Sequence, residues 1–203
     1  MTHGNGPLHI VGVGGTLRVD STSLGALRQS LVAAEKAGAE TELLDLRGLK
    51  LPLYEPGKPL EEYGPEVERL VEAVRKADGL LISTAAYHGT LAGATKNALD
   101  FLQFLSEDKR PYLDGRVVGL ISTAGGEQDA MHAIDAMVHA VHALRGIVAP
   151  LVVAIPKTWR HSDDGEITDE NYAARLEKLG QLVVKTAARL RAEDRPREIR
   201  IAA

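Results

Sequence analysis

Four hydroxyls, one guanidinium and two glycines stand within ten consecutive residues near the start of this chain: Gly14-Gly15-Thr16-Leu17-Arg18-Val19-Asp20-Ser21-Thr22-Ser23. Residues 8–13 before them form an apolar run that reads as a buried strand. After them Leu24, Leu27, Leu31 and Ala34 recur at helical spacing, with Ser23 as the expected N-cap and Gly38 as the stop. A loop opening into a helix offers free backbone N–H groups at the positive end of the helix dipole, which favours an anion. Arg18 adds a charge-assisted bond, and Thr16, Ser21, Thr22 and Ser23 add hydroxyl donors. A phosphate monoester satisfies this donor set. The competing reading is a plain connector with a capping hydroxyl, because Ser and Thr are common at caps for structural reasons. Other phosphate motifs fail. A P-loop needs Gly-Lys-Ser/Thr, which is absent. The dinucleotide fingerprint needs a third glycine where Leu17 stands, and Asp45 is too far along to serve as its acid. A mononucleotide phosphate fits better.

Two further loops belong with the first. Residues 79–84 read as a third strand and run into Tyr87-His88-Gly89-Thr90-Leu91-Ala92-Gly93-Ala94-Thr95-Lys96-Asn97-Ala98-Leu99-Asp100-Phe101, whose second half is helical by the spacing of Ala94, Ala98, Leu99, Phe101, Leu102 and Leu105. Residues 116–121 read as a fourth strand ending in Ser122-Thr123-Ala124-Gly125-Gly126. The remaining elements are a strand at 41–46, a proline-rich connection over 47–64, a helix opened by Pro65, a helix over 127–144, a strand at 147–155 and a helix running to about 191. Pro150 suggests an edge or a bulge in the fifth strand, and Thr168 is the expected cap of the last helix. Five alternations of strand and helix imply an α/β fold, a doubly wound parallel sheet with helices on both faces. Its strand ends gather the three loops at one rim, where ligands of open sheets bind. One domain over 1–203 is expected, with 1–7 and 192–203 as loosely ordered tails.

Composition narrows the class. A net charge of -4 excludes a generally basic nucleic-acid binder, and 4% aromatic content argues against a stacking surface for single strands. Without cysteine there is no disulfide scaffold, thiolate metal site or cysteine nucleophile. No apolar run approaches ~20 residues, so no membrane span or signal peptide is expected and a cytoplasmic location is the default.

The residues resemble a known family. Gly15-Thr16-Leu17-Arg18 followed by 21–23 resembles the Gly-Ser-x-Arg-x-x-Ser phosphate loop of NADPH-dependent FMN reductases. Residues 87–101 resemble their Tyr-Asn-x-Ser-x-Pro-Gly-x-Leu-Lys-Asn-Ala-Leu-Asp-Trp segment, and Lys96-Asn97-Ala98-Leu99-Asp100 matches outright. Residues 122–126 resemble their flavin-edge loop. The likeness spans 8–151. Departures are Ala85 and Ala86 for Pro and Glu, His88 for Asn, Ala92 for Pro and Thr95 for Leu.

The resemblance implies a flavodoxin-like five-stranded sheet of order 2-1-3-4-5 with FMN at the switch between strands one and three. It implies that Thr16, Arg18, Ser21, Thr22 and Ser23 hold the phosphate. Ala86, Tyr87, His88 and Gly89 would line the ring and ribityl chain, and Thr123, Gly125 and Gly126 the pyrimidine side. The implied activity is hydride transfer from NADPH (or NADH) to flavin and on to a small-molecule electron acceptor, with no catalytic side chain because the flavin carries the hydride. Alternatives on the same scaffold are a quinone, azo-dye or chromate reductase. From other classes come a flavodoxin-like electron carrier, although the modest charge disfavours charge steering, and a flavin-binding regulator without turnover. The family implies a homodimer or homotetramer.

Four other features have a bland reading. His132, His139 and His142 share roughly one side of a helix, but no metal is expected from so loose a spacing. Ala133, Ala136, Ala140 and Ala143 permit close helix approach. Lys96 and Asp100 form a surface pair. Trp159, the only tryptophan, is expected to be covered by the sheet edge rather than to overlie a ligand.

Overall fold

A computed structural model describes residues 6–193. In chain order the elements are β1 (His9–Gly14), α1 (Thr22–Lys36), β2 (Glu40–Asp45), α2 (Leu46–Leu49), α3 (Pro65–Lys76), β3 (Gly79–Tyr87), β4 (Thr90–Leu91), α4 (Gly93–Asp100), β5 (Val117–Thr123), α5 (Asp129–Ala143), β6 (Ile147–Ile155), β7 (Ser162–Asp163), β8 (Glu166–Ile167) and α6 (Glu170–Glu193). The parallel strands run in the order β2-β1-β3-β5-β6. Counting those five alone, this is the expected 2-1-3-4-5. Of the expected tails at 1–7 and 192–203, residues 1–5 and 194–203 lie outside the described residues, and α6 extends through Glu193, past the expected 191.

Alternating side chains feed two cores, as a sheet covered on both faces requires. Val11, Val13, Leu80, Ile82, Val118 and Leu120 meet Leu70 and Val74 of α3, Leu99 of α4 and Met137 and Val141 of α5. Ile10, Leu81, Val117, Ile121 and Val153 meet Leu27 and Leu31 of α1 and Leu179 and Val183 of α6. Pro150 sits in the edge strand β6 where its register against β5 shifts between Val118 and Leu120, so edge and bulge both accommodate the missing N–H. Among the described residues no helix is long and apolar enough to cross a membrane.

The sheet differs from expectation at its carboxyl rim. β3 continues to Tyr87, three residues beyond the apolar run, and folds back through β4, pairing Ala86 with Leu91 and Tyr87 with Thr90. His88 and Gly89 turn the corner with φ of 52° and 77°. Two successive positive φ values describe the hairpin turn that Asn-Gly usually fills, and here His takes the first place. Buried Thr84 anchors the return: its Oγ1 accepts from the Ala92 N–H at 3.0 Å and from the Thr95 hydroxyl at 3.0 Å. Thr95 thus completes a buried polar pair.

Candidate functional site

The first rim loop closes on itself through Ser21. Its Oγ accepts from the Thr16 N–H at 3.0 Å and from the Leu24 N–H at 3.3 Å, so Ser21, not Ser23, caps α1. Either hydroxyl has the right chemistry, and the Thr16 bond decides between them. Thr22 and Ser23 are then the first two helical residues, whose N–H groups have no acceptor within the helix. The Arg18 N–H donates to Thr16 Oγ1 at 3.2 Å, which folds the loop tip. Gly14 is required where β1 passes β3, since a side chain there would start 2.4 Å from the Ser83 carbonyl.

A cavity of about 420 Å³ opens between this loop, the β3 end, the β5 end and a fourth segment after β6. Of the expected residues, Thr16, Arg18, Ser21, Thr22, Ala86, Tyr87, Thr123 and Gly125 line it. Ser23, His88, Gly89 and Gly126 do not. Ser23 is fully buried: its hydroxyl lies 3.1 Å from Ser21 Oγ, and its carbonyl accepts from Ser83 Oγ at 2.6 Å, tying α1 to β3. His88 and Gly89 are spent on the hairpin turn. Gly126 makes room for the Asp129 carboxylate, which stands where a side chain would be. Around Gly125 nothing lies within 4 Å of that position, so its backbone borders the cavity unobstructed.

The fourth segment supplies what sequence reasoning missed: Thr158, Trp159, Ser162, Asp164 and Gly165 also line the cavity, with Asp20, Ala85 and Ala124. It is built rigidly. Thr158 donates its N–H at 3.0 Å and its hydroxyl at 2.8 Å to the Ala124 carbonyl, and Ser162 Oγ donates to the Thr158 carbonyl at 2.8 Å. Asp164 and Gly165, with φ of 45° and 82°, turn the β7–β8 hairpin, and the Asp-Gly dipeptide was the readable signal for it. The Gly165 carbonyl rests against Gly25, where a side chain would start 2.0 Å away, so hairpin and α1 touch backbone to backbone. Asp169, not Thr168, caps α6, accepting from the Asn171 N–H at 3.0 Å and the Tyr172 N–H at 3.2 Å. Those bonds, led by Tyr172 and joined by His161 Nδ1 at 2.9 Å, hold its carboxyl below the usual carboxylate range.

Trp159 is not covered. It is 66% exposed at the cavity mouth, with the Arg160 guanidinium 4.6 Å from its ring centre. Tyr87, 47% exposed, projects from the hairpin at the β3 end. Lys157 pairs with Glu127 across the rim, and this bond keeps the Glu127 carboxyl below its ordinary range. Lys96 and Asp100 form the expected exposed pair at 2.6 Å. The Asn97 between them clips the long connection instead, donating to the Pro52 carbonyl at 2.7 Å and accepting from the Tyr54 N–H at 2.9 Å. His132, His139 and His142 are exposed on α5, and among the described residues no group of three metal-ligating side chains comes together.

The residues present fit a flavin mononucleotide. Hydroxyls, two free helical N–H groups and a guanidinium outside any ion pair among the described residues suit a monoester dianion. The small side chains of Ala85 and Ala86 and the bare Gly125 leave room for a flat ring, and the volume lies in the usual range of ~300–1,000 Å³ for ligand pockets.

Comparison with known proteins agrees. An NADPH azoreductase of Bacillus sp. (strain OY1-2) is 35% identical over 135 residues, 64% of this chain and 68% of that protein. The quinone reductase of Escherichia coli (strain K12) is 30% identical over 188 residues, 87% and 95% of the two chains. Among solved structures, an oxidoreductase from Corynebacterium diphtheriae superposes with a TM-score of 0.71 at 15% identity over 90% of this chain and 98% of its own. FerB, an NAD(P)H:(acceptor) oxidoreductase from Paracoccus denitrificans, gives 0.68 at 24% identity over the same shares. These two likenesses concern the flavodoxin-like fold. The family profile described as NADPH-dependent FMN reductase matches residues 8–160, which take in all four segments of the rim up to Arg160, and with that span covered the chain belongs to this family.

Proposed function

We propose that this chain is an FMN-dependent NAD(P)H oxidoreductase whose cofactor lies in the carboxyl-rim cavity. One observation carries the reading: a hydroxyl-rich helix start with an unpaired Arg18 and a shelf of small residues at 85–86 face the same space. Thr16, Arg18, Ser21 and Thr22 hold the phosphate, with the first N–H groups of α1. Ala85, Ala86 and Tyr87 support one side of the ring, and Thr123 and Gly125 approach its edge. Bound FMN supplies the hydride chemistry, accepting from NADPH and passing electrons to a small-molecule acceptor. The chain's part is to bind, orient and leave one ring face open, and no side chain acts as a covalent catalyst.

A second reading, with a quinone or azo compound as acceptor, is favoured by exposed Tyr87 and Trp159 at the mouth, which can stack on a planar molecule. The chain acts as at least a homodimer, with a homotetramer the larger form. Leu17 and Val19 on the phosphate loop and Met131 on α5 are exposed apolar groups that support a partner near the rim. A cytoplasmic location completes the reading, since NADPH is an intracellular reductant.

The test is direct. Purified protein mixed with FMN should bind it, seen as quenched flavin fluorescence, and NADPH should bleach the flavin absorbance. Absence of binding at micromolar flavin would overturn the assignment. Light scattering should return a multiple of the 21.8 kDa chain mass.

A further inference from the structure

We propose that Arg160, braced on Trp159, reads the 2′-phosphate of NADPH and sets the preference over NADH. The inference rests on the reductase reading above and adds a specificity-determining residue to it. The two dinucleotides differ by one phosphate monoester on the adenosine ribose. A site that tells them apart needs a cation where that phosphate falls, outside the flavin cavity but at its mouth.

The rim segments carry three Lys or Arg side chains among the described residues: Arg18, Lys157 and Arg160. Arg18 lines the cavity beside the helix start and is committed to the flavin phosphate. Lys157 is neutralised by Glu127. Arg160 takes part in none of the ion pairs among the described residues. Its guanidinium lies 4.6 Å from the indole centroid, and among the described residues its N–H groups make no side-chain hydrogen bond. The indole itself lines the cavity and is two-thirds exposed. Such a ring can stack on an adenine while the arginine beside it takes the phosphate.

The platform is fixed before any ligand arrives. The Arg160 N–H donates to the Lys157 carbonyl at 2.8 Å, and the His161 N–H donates to the Thr158 carbonyl at 2.9 Å. Thr158 is anchored on Ala124, and His161 on Asp169. These bonds fix the backbone that carries Trp159 and Arg160, so the segment need not be ordered at binding. As a mere surface contact the pair would have no bearing on coenzyme choice.

Trp159 is the only tryptophan, so its fluorescence reports this place alone. In the full-length protein without flavin, 2′,5′-ADP should quench or shift that emission, and 5′-AMP should do so far more weakly. Arg160→Ala should weaken the 2′,5′-ADP response about tenfold to a hundredfold, the usual loss for one charged hydrogen-bond partner, and leave the 5′-AMP response alone. With FMN bound, the same variant should lower kcat/KM for NADPH by a similar factor, chiefly through KM, with NADH unchanged. Arg160→Lys should restore part of the difference. Loss shared equally by the two coenzymes, or a 2′,5′-ADP response untouched by the substitution, overturns the proposal. Failure to bind FMN would instead strike the reductase reading, and the fluorescence titration would still decide the role of Arg160.

Discussion

Two arginines at opposite ends of the sheet show how one side chain type serves stability in one place and recognition in another. Arg116, just before β5 at the amino-terminal edge, is 2% exposed and has three backbone carbonyls as partners: Arg75 at 2.8 Å, Ala77 at 3.0 Å and Tyr112 at 3.0 Å. Arg75 and Ala77 stand at the end of α3, where carbonyls lack helical N–H donors and the dipole favours a cation. Burial, aided by the like charge of Arg110, pushes its pKa down to about 10, so it remains charged at neutral pH. The cleft it lines, of about 590 Å³, is walled by charged side chains, but its arginines are largely occupied: Arg75 bonds Asp108 at 2.8 Å and pairs with Glu72. Arg18, at the carboxyl rim, is exposed and lies outside the ion pairs of the described residues. A guanidinium whose donors are taken holds the fold; one whose donors are free is available to a ligand.

The contrast breaks if either arginine behaves like the other. Arg116→Ala should be the most damaging substitution, costing about 3 kcal/mol or more because it strands buried carbonyls and leaves a void, read as a fall in the denaturant midpoint. Arg18→Ala should leave that midpoint in place and weaken FMN binding by about 2 kcal/mol, read by fluorescence titration. A destabilised Arg18 variant with normal FMN affinity would reverse the assignment. Lys96→Ala, which removes an exposed pair, should change stability by less than ~0.5 kcal/mol and FMN affinity not at all.

Asp169→Asn sharpens the comparison through pH. The folded carboxyl titrates below its unfolded value, so its contribution is present above the ordinary carboxylate pKa and is lost as pH falls through the lowered one. Asparagine still caps but does not titrate, so the acid limb of the melting-temperature profile should be shallower in the variant. Profiles with identical slopes would remove Asp169 from the acid response.

Much of this architecture was legible because it is local. Strand periodicity, the start of α3 at Pro65 and the hydroxyl loop before α1 are patterns over neighbouring residues. What escaped depends on how a turn folds back on itself or on partners remote in the chain. Ser21 and Ser23 are equally good caps until Thr16 folds back on the former. Thr168 and Asp169 differ by the twin N–H bonds that only the formed helix presents. Trp159 was expected under cover because a large ring usually finds apolar company, yet its segment is pinned to Ala124 and holds it over the opening. Four of the twelve expected site residues, Ser23, His88, Gly89 and Gly126, proved to shape the loops rather than line the cavity. Motif matching finds the segment, and the turn geometry within it decides which atoms face inward.

The strap from Lys157 to Ile167 ends where Gly165 lies on Gly25, one turn into the helix whose start faces the cavity, while its other end carries the indole. One backbone segment thus touches both the start of α1 and the mouth of the cavity. By thermodynamic reciprocity, whatever factor a docked coenzyme contributes to flavin retention must equal the factor flavin contributes to coenzyme affinity.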